Sequence, residues 1–190
     1  LLAELQGWHA GLTSENAELA RRATHDSLTG LGNRALFEQV LGEAIGASVR
    51  SGIAFAVLYL DIDDFKTIND RHGHDSGDAA LIAVAERLRA SIRHVDSAFR
   101  LGGDEFALVL APFHNRAHVD AVVERIHRSM ERGYRLPSGL FGRSSVSVGV
   151  AVYPDDGISP DDLLRRADAA MYLMKRQARH EGENGHGATA

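Results

Sequence analysis

The sequence has no cysteine in its 190 residues, which excludes disulfides and thiolate metal sites and fits a reducing, cytoplasmic setting. It also lacks any apolar run near the roughly 20 residues that span a bilayer. Positive charge is not in excess, since 21 Lys and Arg face 26 acidic residues for a net charge of −5. A general nucleic-acid binder carries a net basic footprint, so no nucleic-acid polymer is expected as partner. Local basic clusters can still grip a small phosphate ligand. The N-terminus is polar throughout and does not resemble a signal peptide. It has no initiator Met and starts inside a Leu-rich helical pattern. The chain therefore reads as a piece of a longer protein, cytosolic or the cytosolic part of a membrane-anchored sensor. What is present is a 44% apolar composition, enough for one compact domain plus an appendage.

The expected division is a helical linker over 1–25, a domain over 26–180 and a disordered Gly-rich tail over 181–190. In the first zone Leu5, Leu12 and Leu19 recur every seven residues, with Leu2, His9, Asn16 and Ala23 at the complementary spacing. That is the a/d pattern of a coiled coil, weakened by Gly7 and Gly11. A dimerising stalk and an amphipathic helix packed on its own domain both fit it.

Asn33 predicts a helix N-cap, with a helix to about Ala47. Ile53 to Leu60 is an unbroken strand-forming run ending in Asp61-Ile-Asp-Asp64, as for a strand buried on both faces. A short helix over 65–72 closed by Gly73, and another from Ala79 to Ile92, follow from the apolar spacing. Ser97–Leu101 and Glu105–Ala111 predict a hairpin turning at Gly102-Gly103. A helix over 116–131, a strand from Ser144 to Tyr153 and a helix from about Asp161 to Ala178 complete the order. The core order βαββαβ predicts an α+β, ferredoxin-like fold with added helices around a central antiparallel sheet. In that topology the first and third strands are neighbours. The end of the first, at Asp61, then meets the start of the third, at Asp104.

Two carboxylates brought together at strand ends suit a hard cation, Mg²⁺ or Mn²⁺. Mg²⁺ takes few protein ligands and completes its shell with water and substrate phosphates, which points to phosphoryl or nucleotidyl transfer. The bland alternative is that acids merely end strands and solubilise turns. His72 and His74 invite a zinc reading, but neither a cysteine nor an HExxH helix accompanies them, and no histidine metal site is expected.

Arg100-Leu-Gly-Gly-Asp-Glu-Phe106 contains GGDEF intact, the signature of the diguanylate cyclase family. Asp26-Ser-Leu-Thr-Gly-Leu-Gly-Asn-Arg34, Asp61-Ile-Asp-Asp-Phe-Lys-Thr-Ile-Asn-Asp70 and His72-Gly-His-Asp-Ser-Gly-Asp78 resemble further family motifs. So do Ser147-Val-Gly-Val-Ala151, Pro154-Asp-Asp-Gly157 and Ala167-Asp-Ala-Ala-Met-Tyr172. The resemblance runs in the right order over about residues 25–180. It departs at Leu173-Met174, a larger pair than usual, and at Ala178-Arg179-His180, which stands for Gly-Arg-Asn.

The resemblance implies a palm-like nucleotide cyclase fold and condensation of two GTP into cyclic di-GMP. It implies that Asp61, the Ile62 carbonyl and Asp104 hold Mg²⁺ or Mn²⁺, two ions per site. Asp104 would help deprotonate the ribose 3′-hydroxyl, and Glu105 would support the metal site. Lys66, the amides near Phe65, Lys175 and Arg179 would receive the triphosphate. For the last two, a basic helix end favoured by the dipole is the bland alternative. Asn69 and Asp78 would read guanine, whose N1–H and exocyclic amine a carboxylate can accept where adenine offers neither donor. Arg93 and Asp96 match an RxxD product-binding site, with cyclic di-GMP as inhibitor. Turnover would need a homodimer, and a sensory or receiver domain would precede the chain. The rivals are a non-catalytic receptor of GTP or cyclic di-GMP and a cyclase accepting ATP.

Overall fold

The computed structural model describes residues 18, 21–112 and 115–185, with side chains to Arg176. The heptad zone before residue 18 and the last five residues of the expected tail lie outside the described residues.

The chain enters through a helical turn at 21–24 and a turn over 26–30. Helix α1, Arg34–Ser51, begins at Asn33, whose side chain accepts from the Leu36 amide, and ends at left-handed Gly52. Strand β1, Phe55–Ile62, follows, then α2, Phe65–His72, and α3, His74–Ala90. Strands β2, Ser97–Gly102, and β3, Glu105–Leu110, form the hairpin, and α4 covers Arg116–Met130. A two-stranded hairpin, β4 Tyr134–Arg135 and β5 Phe141–Gly142, precedes β6, Val146–Tyr153, and α5, Pro160–Gly185.

The main sheet has the order β2-β3-β1-β6, and β1 is antiparallel to both its neighbours. The predicted pairing of first and third strands is what the fold contains. Period-2 alternation then sorts β1 onto two faces. Ala56, Leu58, Leu60 and Ile62 pack with Leu81, Val84 and Leu88 of α3 and Val119, Val122 and Ile126 of α4. Phe55, Val57 and Tyr59 face the other way, against Phe37 and Leu41 of α1 and Leu163, Ala167 and Met171 of α5. The added helices thus close the second face of the sheet.

The contact between α5 and β6 is unusually close. A Cβ on Gly149 would lie 1.9 Å from the Ala167 carbonyl oxygen and 2.3 Å from the Met171 nitrogen. Only glycine lets the helix backbone rest on the strand here. The register of α5 over the sheet is set by that contact.

Several boundaries differ from the sequence expectation. The hairpin turns at Gly103-Asp104, one residue later than expected, because Gly102 still pairs with Glu105 across a β-bulge. Helix α3 starts at His74, well before Ala79, since its first turn is polar and carries no apolar period. Helix α5 keeps its backbone helical to Gly185, beyond Ala178 and into the segment expected to be disordered. The β4–β5 hairpin was not anticipated; its strands are too short for a periodic signal, yet Tyr134 and Leu136 bury against Ala80.

Candidate active site

Asp61 extends the inward row Phe55-Val57-Tyr59 past the hydrophobic layer, to the end of the sheet. It lies directly opposite Glu105 on one side and Ser147 on the other. The Ile62 amide donates to the Asp104 carbonyl at 3.3 Å. Asp61, Ile62, Asp104 and Glu105 therefore share one strand end, as the topology predicted. Burial pushes the Asp61 carboxyl above its ordinary value, and the charges of Asp104 and Asp63 add to this. A hydrogen-bonded ion pair with Lys175 works in the opposite direction without cancelling the rise. Lys175 reaches Asp61 because it continues the stripe Leu163, Ala167, Met171 down α5, one turn beyond the glycine contact. Beneath the cluster Tyr59 is buried and holds its proton well above the usual tyrosine range, through burial and through the charge and hydrogen bond of Glu105. Its hydroxyl therefore stays neutral beside that carboxylate.

The donors gathered here are all oxygen, and Asp61 is a half-buried carboxylate, its charge disfavoured first by burial and then by Asp104 and Asp63, a cost that a hard divalent cation would relieve. These residues fit such an ion. Among the described residues no three carboxylate or imidazole side chains converge as a ready cage. Asp63 instead accepts from the Ser147 hydroxyl at 2.7 Å, and Asp61 is engaged by Lys175. A site of this kind leaves most of an ion's shell to water and substrate.

The loop from β1 to α2 turns through Asp64 at φ 53°, a left-handed conformation that costs a non-glycine residue about 1–3 kcal/mol. Aspartate is among the residues that tolerate it best. Asp64 makes no side-chain cap on α2, so the first amides of that helix, at Phe65 and Lys66, face the loop without a capping carboxylate. Lys66 is exposed and Phe65 half-buried. One helix turn on, Asn69 packs against the start of α3. A Cβ on Gly77 would sit 2.0 Å from its Oδ1. Asn69 is thereby brought beside Asp78, which is exposed at the start of the second turn of α3.

A second layer fixes the hairpin turn. Arg100 donates from Nε and Nη2 to the Gly103 carbonyl at 3.0 and 2.8 Å, and from Nη1 to both oxygens of Asp26 at 3.2 Å. Asp26 also accepts from the amide and hydroxyl of Thr29. Burial acts to raise the Asp26 carboxyl, but these bonds together with Arg100 bring it below its ordinary value. The segment that precedes α1 is thus tied through one guanidinium to the turn that carries Asp104.

Comparison with known proteins agrees with this geometry. Residues 23–181 match the family model described as "Diguanylate cyclase, GGDEF domain". The chain belongs to this GGDEF family. Diguanylate cyclase TpbB of Pseudomonas aeruginosa is 46% identical over 179 residues, covering 94% of this chain and 41% of TpbB. The GGDEF domain of that protein, solved alone, superposes with a TM-score of 0.78 at 44% identity, covering 80% of this chain and 89% of the solved one. The coiled coil and GGDEF domain of DgcB from Caulobacter crescentus, solved in complex with c-di-GMP, gives a TM-score of 0.82 at 31% identity and covers 93% of both chains. This chain spans about two-fifths of the length of TpbB.

The remaining predicted residues of this GGDEF domain lie apart from the carboxylate end. Arg93 and Asp96 are in the turn between α3 and β2, beside a cavity of about 390 Å³ also bordered by Arg89, His25 and His94. Asp96 is buried and caps its own turn, accepting from the Arg93 amide at 2.9 Å. The Arg93 guanidinium is exposed and lies 3.3 Å from Nδ1 of His118. The Arg179 side chain lies outside the described residues. Sequence reasoning assigned no role to Asp26, Arg100, Tyr59, Asp63 or Ser147. Only Ser147 was open to inference, because placing the last strand beside β1 puts its Ser-Val-Gly motif opposite Asp61.

Proposed function

We propose that this GGDEF domain is a diguanylate cyclase, condensing two GTP into cyclic di-GMP with release of two pyrophosphates, as the output domain of a bacterial signalling protein. The observation that carries this reading is the meeting of Asp61, Asp104 and Glu105 at one sheet end, beside the uncapped start of α2 and under Lys175. A degenerate receptor would have no need to keep such a cluster.

Asp61, the Ile62 carbonyl and Asp104 would hold Mg²⁺ or Mn²⁺, two per site, with Glu105 in support. When bound, such ions polarise the α-phosphate and ease ionisation of the attacking hydroxyl. Asp104 takes the proton from the ribose 3′-oxygen as that oxygen attacks the α-phosphorus and pyrophosphate leaves. Lys66, the Phe65 and Lys66 amides, Lys175 and Arg179 neutralise the triphosphate, with Lys175 turning from Asp61 to do so. Asn69 and Asp78 read the guanine edge; an adenine would leave the Asp78 acceptor unpaired. Arg100 and Asp26 hold the turn that positions Asp104.

One such site holds one GTP, while the product has two phosphodiester links, so two copies must face each other. The rate per subunit should rise with protein concentration, and deletion of residues 1–24 should steepen that dependence. A rate that stays flat on dilution into the monomeric range would contradict the homodimer. Product binding at Arg93 and Asp96 would inhibit without competing for GTP. The test of the activity itself is incubation with GTP and Mg²⁺ and chromatographic identification of the product. Cyclic di-GMP is expected, and bound but unconverted GTP would favour the receptor reading.

A further inference from the structure

Asp63 lies between Asp61 and the uncapped start of α2, yet it is fastened to the opposite strand. Its amide donates to the Ser145 carbonyl at 3.0 Å, and one carboxylate oxygen accepts from the Ser147 hydroxyl at 2.7 Å. Ser147 is 5% exposed and sits on β6 directly across from Asp61. On the other flank the Ile62 amide is bonded to the Asp104 carbonyl. The loop is thus tied through Asp63 to β6 and the residue before it, while the strand end that leads into it is tied to the β2–β3 turn. It needs such ties because left-handed Asp64 persists only where its surroundings over-determine it.

We propose that Ser147 is a positioning residue of the nucleotide site, acting through Asp63 to fix the β1–α2 loop for the triphosphate. A hydroxyl donating to a carboxylate is charge-assisted and directional. It commits Asp63 to β6, and so does two things at once. It holds the Phe65 and Lys66 amides in one arrangement, and it keeps a rotating negative charge out of the path of an incoming polyphosphate. This inference rests on the loop being the seat of the triphosphate.

The test is calorimetric titration of the full chain with the α,β-methylene analogue of GTP and Mg²⁺, in which the α–β bond cannot be cleaved. Loss of a bond to a charged group predicts that Ser147→Ala and Ser147→Val bind the analogue about tenfold more weakly than the parent. Ser147→Thr keeps the hydroxyl on a strand that suits a β-branched residue and should bind within about threefold of the parent. Valine and threonine have the same shape, so their difference isolates the hydroxyl even if alanine impairs folding. In an Asp63→Ala background, Ser147→Val should change affinity by less than about twofold, since the bond is already gone. Equal affinity of the valine and threonine variants overturns the proposal. So does a valine effect that persists undiminished without Asp63, because it would not run through that carboxylate. Failure of the parent chain to bind the analogue overturns the nucleotide-site reading itself, and this proposal with it.

Discussion

The carboxylate end of the sheet and the turn after α3 hold their acidic residues in opposite ways. Asp61 is placed by residues far away in sequence. Its strand is paired to Glu105 and Ser147 and its carboxylate to Lys175, and burial leaves its charge uncomfortable. Asp96 is placed by its own turn, bonded to the amide three residues before it, and has a local structural task already. A charge held at a cost by distant elements is one the fold maintains for something other than stability. A charge consumed by its own turn is explained by that turn, and any ligand there must rely on its exposed neighbour, Arg93.

This contrast can be broken at its costly end first. Asp61→Asn should lower turnover by at least about a hundredfold, because on the proposed mechanism a metal ligand and a charge are lost from the transition state. The same change should raise the thermal stability of the metal-free protein at neutral pH. The sign follows from the elevated carboxyl: between its unfolded and folded values the native state binds more protons, so stability falls as pH rises through that window. Above it Asp61 costs stability, and removing its charge relieves the cost, less whatever Lys175 loses with its partner. The gain should shrink as pH falls toward the ordinary carboxylate range and vanish below it. Melting curves of both proteins against pH check this, and a loss of stability at neutral pH would contradict the account.

Arg100→Lys should give the next largest effect, a drop in turnover of about tenfold with little change in melting temperature. A lysine cannot fork between the Gly103 carbonyl and Asp26 as the guanidinium does. Steady-state rates and thermal melts measure both. At the locally built end, Asp96→Ala should cost about 1 kcal/mol of stability through the lost turn bond. Arg93→Ala should leave initial rates near those of the parent and extend progress curves that otherwise stall as product accumulates. If added cyclic di-GMP inhibits the parent and Arg93→Ala with equal potency, the product site is elsewhere.

The same division explains what the sequence revealed. The meeting of Asp61 with Asp104 was legible because the order of strands fixes which ends are neighbours, and the long apolar run of β1 could only be central. The turn at Gly103-Asp104 was missed by one residue because a bulge between Arg100 and Gly102 shifts the register without a mark in the pattern. The β4–β5 hairpin escaped because its strands have two residues each. The ties of Arg100 to Asp26, Tyr59 to Glu105 and Ser147 to Asp63 join residues up to 84 apart. Motifs name such residues, but only the packing shows whom they touch.

The central claim is that the strand end carrying Asp61 and Asp104 turns GTP into cyclic di-GMP. It is tested most directly by incubating the parent chain and Asp104→Ala with GTP and Mg²⁺, measuring cyclic di-GMP and pyrophosphate together. The account predicts two pyrophosphates per cyclic di-GMP from the parent, and near-complete loss of both products from a folded Asp104→Ala protein. Near-normal product formation by Asp104→Ala, or pyrophosphate released by the parent without cyclic di-GMP, would contradict it.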